Sequence, residues 1–302
     1  MITVPSYLKP GDTIGLVAPA GFMPFEKMQT CIETLQNWGY NLAFGKTTHS
    51  ESQNYFSGSD VERLTDLQEM LDDKNIKAIL CARGGYGLSR IIDGLDFKKF
   101  KKKPKWIIGF SDVTILQSHI FSNYKIVSLH APMAAAFNEN GFNQPSVLSL
   151  KNALEGTPAS YECAGHAFNK EGKAKGQLVG GNLCLLGHLI GTPSDIDTKN
   201  KILFLEDVGE YLYNIDRLLL QLKRSGKFKK LAGLIIGGFT DSKDTERTFG
   251  ASANEIIYDQ VKKYNFPVCF DFPVSHGKEN FALKVGGKYT LEVAKDKVIL
   301  KE

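Results

Sequence analysis

The stretch Lys105-Trp-Ile-Ile-Gly-Phe-Ser-Asp-Val-Thr-Ile-Leu-Gln-Ser-His119 decides how the chain is read. An apolar run, Trp106 to Ile108, meets Gly109. Ser111 and Asp112 then open a segment whose apolar residues Val113, Leu116 and Ile120 recur at helical spacing. The pattern is strand, tight turn, helix. Free backbone N–H groups at a helix start point toward a serine placed there, so donors for a developing oxyanion are already in place. The position therefore suits a nucleophile. It matches the G-x-S-x-G elbow only in part, because Val113 stands where the second glycine belongs. The plainer alternative is a Ser/Asp N-cap of the kind that opens many helices.

Upstream, residues 13–18 form a β-branched run after the turn signal Lys9-Pro-Gly-Asp12, and residues 26–38 show helical periodicity ending at Gly39. Residues 41–44 read as a weak strand. Ser59-Asp-Val-Glu62 is a capping box that starts a helix through Leu71. Residues 78–82 are a strand running straight into Arg83-Gly-Gly-Tyr-Gly87, followed by a helix over 88–95. The basic run from Lys98 to Lys105 reads as a solvated loop, and residues 126–129 as a further strand. Alternation of strand and helix predicts a parallel sheet with helices on both faces, and sites in such sheets lie at the carboxyl ends of the strands. Both Arg83-Gly-Gly and Gly109-Phe-Ser-Asp fall at such ends.

Downstream, residues 136–175 are rich in Asn, Gly, Pro and Ser and only weakly periodic, so they read as a linker with loops. A second unit begins near Gln177. It carries a strand over 201–206 ending in acids, an amphipathic helix over 213–224, a strand over 231–236, a helix over 253–264 and a strand over 267–270. The last runs into Asp271-Phe-Pro-Val-Ser-His-Gly277, and the tail reads as a hairpin or meander with turns at Gly286 and Lys295. The expected fold is α/β in two parts. Residues 1–140 form an N-terminal parallel-sheet domain with the nucleophile, 141–175 a linker, and 176–302 a smaller C-terminal α/β domain with the acid and base.

The chain has 302 residues, 42% hydrophobic and 23% charged, the balance of a soluble globular protein. No apolar run approaches the ~20 residues that span a bilayer, and the first ten residues lack the parts of a signal peptide. Five scattered cysteines form no C-x-x-C pair, so neither a disulfide framework nor a zinc site is expected, and a reducing cytoplasm is. A net charge of +4 is too mild to imply nucleic acid.

Three strand-end positions stand together in the order Ser111, Glu206, His276. Acyl transfer by serine needs a base for its proton and an acid to orient that base, and alpha/beta hydrolases use this order. His130 is a competing base, also at a strand end, whereas His119 and His188 read as core residues on apolar helix faces. For Glu206 the alternatives are a helix-capping acid or a salt bridge to Arg217.

Arg83-Gly-Gly-Tyr-Gly87, Gly109-Phe-Ser-Asp112, Gly180-Gly-Asn182, Phe204-Leu-Glu-Asp-Val208 with Ile215-Asp-Arg217, and Ser275-His-Gly277 together resemble the LD-carboxypeptidase family. These serine peptidases include murein tetrapeptide carboxypeptidases and microcin-immunity peptidases. The resemblance runs from Lys9 to the Gly286 region. It implies Ser111 as nucleophile, Glu206 as acid, His276 as base, and the amides of Gly85 and Asp112 as oxyanion donors. It also implies a triad at the domain interface, no metal or organic cofactor, a homodimer, and murein tetrapeptide as substrate, with terminal D-alanine released in the cytoplasm. A peptide–nucleotide conjugate is the alternative substrate. A carboxypeptidase must hold a free carboxylate, and Arg83 is the candidate, with interface packing the other reading. Asn182 either contacts substrate or serves a tight turn, and Tyr86 either closes over the ligand or packs on the interface.

Overall fold

In the computed structural model, which describes residues 1–138 and 144–302, the first sheet holds β1 (Thr13–Val17), β2 (Asn41–Phe44), β3 (Ile76–Cys81), β4 (Trp106–Gly109) and β5 (Ser128–His130). Their spatial order is β5-β4-β3-β1-β2, and every pair is parallel. The apolar run in β4 is continuous because both faces are covered. Trp106 and Ile108 join one core layer and Ile107 the other. Strand order reverses at β1, so the loops after β1 and β3 lie beside one another at the carboxyl edge. A hydrogen bond from the Gly21 amide to the Gly84 carbonyl (3.1 Å) joins them.

The second sheet has seven strands: β6 (Ser160–Ala164), β7 (Gly172–Asn182), β8 (Ile202–Val208), β9 (Gly233–Thr240), β10 (Val268–Cys269), and two from the tail. Strands β7 to β10 are parallel neighbours, again with alternate residues divided between two core layers. The tail does more than form a hairpin. β11 (Leu283–Val285) crosses to the first sheet and pairs antiparallel with β5, while β12 (Lys288–Val293) and β13 (Lys297–Lys301) form the hairpin of the second. The first sheet thus takes its last strand from the C-terminal part, which binds the two units together.

The stretch expected as a linker is not made of loops alone. Its boundary at 140/141 lies outside the described residues, but beyond it a helix spans Gln144–Glu155 and β6 follows. That helix buries Leu150, Ala153 and Leu154, with Ser146 and Ser149 also inward. The two serines break the apolar periodicity, yet they are buried with partners: their hydroxyls accept from the amides of Asn280 (2.9 Å) and Ala282 (2.8 Å). The basic run is also not a plain loop. Residues Lys98–Lys102 are helical over a buried Phe100, and the buried Lys105 ammonium caps the carbonyl of Met70 at 3.0 Å. Among the described residues no helix is long and apolar enough to cross a membrane.

The helix Thr114–Tyr124 is the joint between the units. Its residues from Thr114 to Phe121 are all buried, with Ile115, Leu116 and Ile120 in a core layer of the first sheet and Phe121 in one of the second. Gly181, at the end of β7, touches it so closely that a Cβ there would sit 2.5 Å from Thr114 Oγ1. Its φ of +143° is one that side chains rarely adopt. Gly181→Ala is therefore expected to lower stability by about 2–5 kcal/mol, backbone strain and overpacking together. Urea unfolding followed by circular dichroism measures it, and an unchanged midpoint would show that this contact does not hold the joint.

Candidate active site

Beyond β4 the chain turns sharply. Phe110 is extended and Ser111 has φ 59°, left-handed for a non-glycine residue, before a short 3-10 turn (Ser111–Val113) leads into the helix Thr114–Tyr124. Such strain persists only where the surroundings fix it and clusters at functional sites. The missing second glycine now has an explanation. A Cβ on Gly109 would lie 2.8 Å from Val113 Cγ2, so Val113 fills the space that Gly109 leaves open. One glycine of the pair is enough for this turn.

The loop after β3 presses on that turn. A Cβ on Gly84 would stand 2.9 Å from Ser111 Cβ, 3.1 Å from its Oγ and 3.2 Å from the Asp112 nitrogen. Only glycine lets the loop approach the serine this closely. Gly85, with φ +97°, follows at the surface. Among the described residues the amides of Gly85 and Asp112 donate no loop or turn hydrogen bond.

Glu206 sits near the end of β8, where the pairing with β9 slips between Leu205 and Asp207. Slips of this kind re-aim side chains next to active sites. The Glu206 side chain is fully buried and bonds His276 Nδ1 at 2.6 Å through Oε2. Neither alternative partner is used: Arg217 bonds Asn214 instead. Burial lowers the His276 pKa, but the Glu206 charge and hydrogen bond, with Asp207 and Asp241 behind them, outweigh it and leave the group above its ordinary value. The His276 ring lies 4.7 Å, centroid to centroid, from Phe110, the residue before Ser111. His276 and Glu206 are thus joined, and His276 stands beside the serine turn. Among the described residues no hydrogen bond links Ser111 to His276.

The competitor His130 is fully buried, 5.0 Å from Phe204 and 5.7 Å from Phe110 by ring centroids. Burial pushes its pKa down to about 4 against the pull of Glu206, so it is neutral and shut off from solvent. His119 is a core residue bonded to Ser194 (2.9 Å), whereas His188 is exposed and bonds Ser89 (3.2 Å). Asn182 is buried and committed on both sides. Its amide donates to Asp207 (2.7 Å), and its oxygen caps the helix Leu183–Leu189 at the Leu185 amide. Arg83 is exposed and donates to the Phe22 carbonyl at 2.8 Å. Tyr86 is exposed and lies 5.9 Å from Phe56.

Two side chains have structural roles that the sequence did not assign. Asp207, buried beside Glu206, holds Asn182 and the Cys184 amide (2.9 Å). Burial and the Glu206 charge push its pKa up to about 7 against its three N–H donors. The doublet of acids after a four-residue apolar run was the available signal. The second is the carboxylate of Asp112, fully buried, which accepts from the Leu88 amide at 2.9 Å. No spacing in the sequence points to that contact.

A family model described as the LD-carboxypeptidase N-terminal domain matches residues 14–131, and one described as its C-terminal domain matches residues 175–291. A probable murein peptide carboxypeptidase of Bacillus subtilis is 35% identical over 299 residues, 98% of this chain and 93% of the relative. A murein tetrapeptide carboxypeptidase of Pseudomonas aeruginosa is 30% identical over 290 residues, 92% of each chain. The crystal structure of muramoyltetrapeptide carboxypeptidase from Oxalobacter formigenes superposes with TM-score 0.86 at 29% identity, over 96% of this chain and 98% of that one. The microcin C7 self immunity protein MccF, in complex with aspartyl sulfamoyl adenosine, shares the fold at 22% identity and TM-score 0.88, over 99% and 98%. With both family domains matched in order, the chain belongs to the LD-carboxypeptidase family and is a serine-type carboxypeptidase.

Proposed function

We propose that the protein releases the terminal D-alanine of murein tetrapeptide by hydrolysing the bond from the L-configured centre of the diamino acid, with Ser111, His276 and Glu206 as its triad. The observation that carries this is the 2.6 Å bond between His276 Nδ1 and the buried Glu206, beside the strained Ser111 turn. With Nδ1–H donating to Glu206, Nε2 keeps its lone pair for the Ser111 proton. Ser111 Oγ bonds the scissile carbonyl carbon, and the oxyanion is held by the Gly85 and Asp112 amides. The C–N bond then breaks as His276 returns the proton to the departing D-alanine amine. Water repeats the sequence on the acyl-serine and frees the enzyme.

Arg83 is the proposed anchor for the substrate carboxylate, since the charge of its exposed guanidinium faces solvent at the loop carrying Gly85. Tyr86, exposed on that loop, is proposed to line the same pocket. Asn182 supports the site through Asp207 and contacts the peptide only with a change of partners. The five free cysteines support a cytoplasmic enzyme. The family resemblance supports a homodimer, which light scattering in solution tests.

The MccF likeness favours a second reading, hydrolysis of a peptide–nucleotide conjugate. A stacking platform for its base would have to come from tyrosine or phenylalanine, because Trp106 is buried and Trp38 packs on Phe137.

The pH response follows from His276. Its neutral form acts as base and its pKa is raised, so kcat/KM is expected to climb with pH through a midpoint above about 6.5. Stability runs the other way. A histidine with a raised folded pKa contributes fully below the unfolded value, and that contribution is lost as pH rises through the folded one. Measuring kcat/KM and urea midpoints across pH 5–9 tests both, and an acid limb centred below about 6 would contradict the pairing.

A further inference from the structure

One peptide unit near the site is held in an unusual way. The Gly87 carbonyl accepts from Arg63 Nη1 at 3.1 Å, and the Leu88 N–H of the same unit donates to Asp112 Oδ2 at 2.9 Å. The Arg63 side chain and Asp112 are both fully buried. A cation therefore faces the negative end of this peptide dipole and an anion its positive end, with water excluded from both contacts. Arg63 comes from the first turn of the helix Asp60–Asp72, and its Nη1 also donates to the Pro19 carbonyl at 2.7 Å, in the loop after β1. That loop in turn bonds Gly84 through the Gly21 amide. Gly87 itself is dictated by this arrangement, since a Cβ there would lie 2.6 Å from Arg63 Nη1 and 2.9 Å from Ala20 Cα.

We propose that Arg63 and the Asp112 side chain are positioning residues that clamp the Gly87–Leu88 peptide and thereby fix the Gly84-Gly85 segment against Ser111. The inference rests on Ser111 as nucleophile and Gly85 as oxyanion donor. Asp112 then has two separate duties. Its amide faces the oxyanion, and its carboxylate reaches across to the far end of the loop that supplies the other donor. The two donors belong to the loops after different strands, β3 and β4, and this clamp sets the spacing between them. Burial raises the Asp112 pKa to about 6, with the Leu88 N–H and Arg63 acting against it, so the clamp is fully charged at pH 8.

The test is steady-state kinetics at pH 8 on Asp112→Asn, Asp112→Ala, Arg63→Met, Arg63→Lys and the Asp112→Ala/Arg63→Met double variant, beside Ser111→Ala. Misplacing an oxyanion donor is expected to lower kcat by about 10²-fold with KM within a few-fold of wild type. The double variant should be no slower than the slower single one, because both act on one peptide unit. Arg63→Lys, which keeps a donor for the Gly87 carbonyl, should recover part of the loss seen in Arg63→Met. If Arg63→Met does not fold, Asp112→Ala, which removes the acceptor for the Leu88 N–H, carries the test alone. Folded variants with wild-type kcat, or losses that multiply in the double variant, overturn the clamp. If Ser111→Ala is inactive while these variants keep their kcat, only the clamp falls; if Ser111→Ala is active, the catalytic assignment falls with it.

Discussion

Ser111→Ala is expected to release D-alanine from murein tetrapeptide about 10³-fold or more slowly than wild type. On the proposed mechanism the change removes the one atom that bonds the acyl carbon and leaves the surrounding donors in place. The residual rate is what binding and the oxyanion amides supply alone, so kcat falls while KM stays close to wild type. Folding is not at stake. Alanine takes the same left-handed backbone as Ser111 at a similar cost, and the turn is fixed by Gly84, Gly109 and Val113 around it. A thermal melt alongside the assay separates the two effects. Undiminished release by a folded variant would remove Ser111 from the mechanism.

Glu206→Gln is expected to lower kcat/KM by about 10²–10⁴-fold, because a neutral amide neither fixes the imidazole tautomer nor stabilises the imidazolium that forms during attack. It carries a second signature. Burial alone lowers the His276 pKa, and Glu206 is the foremost influence raising it. Removing the charge therefore moves the acid limb of the kcat/KM profile to lower pH, even as the plateau drops. The same loss strips away the stabilisation that the pair gives below the histidine pKa, so the unfolding midpoint falls more at pH 6 than at pH 9. A slower variant whose acid limb has not moved would mean that Glu206 acts elsewhere than on His276.

How far the sequence could be read depended on whether a segment's partners were local. Trp106-Ile-Ile-Gly109 is a two-sided buried strand and reads as one from composition alone. Ser59 and Glu62 close a capping box within four residues, and the box is present as expected. The Glu206–His276 contact spans 70 residues but was legible, because Glu206 lies near the end of β8 and His276 in the loop that leaves β10, and one parallel sheet brings the two to one edge. The helix Gln144–Glu155 was hidden because its inward serines satisfy partners more than 130 residues away. Strand β11 was hidden for a similar reason, since three residues pair across the unit boundary with β5. The Asp112–Leu88 contact depends on how one loop folds back over another, which neither periodicity nor propensity encodes.

The account's central claim is the bond that is cut. Incubating the wild-type protein with purified murein tetrapeptide, and resolving the products by chiral liquid chromatography with mass spectrometry, reads it directly. The expected result is D-alanine and the tripeptide in equal amounts, with no internal cleavage and with none formed by Ser111→Ala. Intact tetrapeptide, under conditions where a peptide–nucleotide conjugate is hydrolysed, would contradict it.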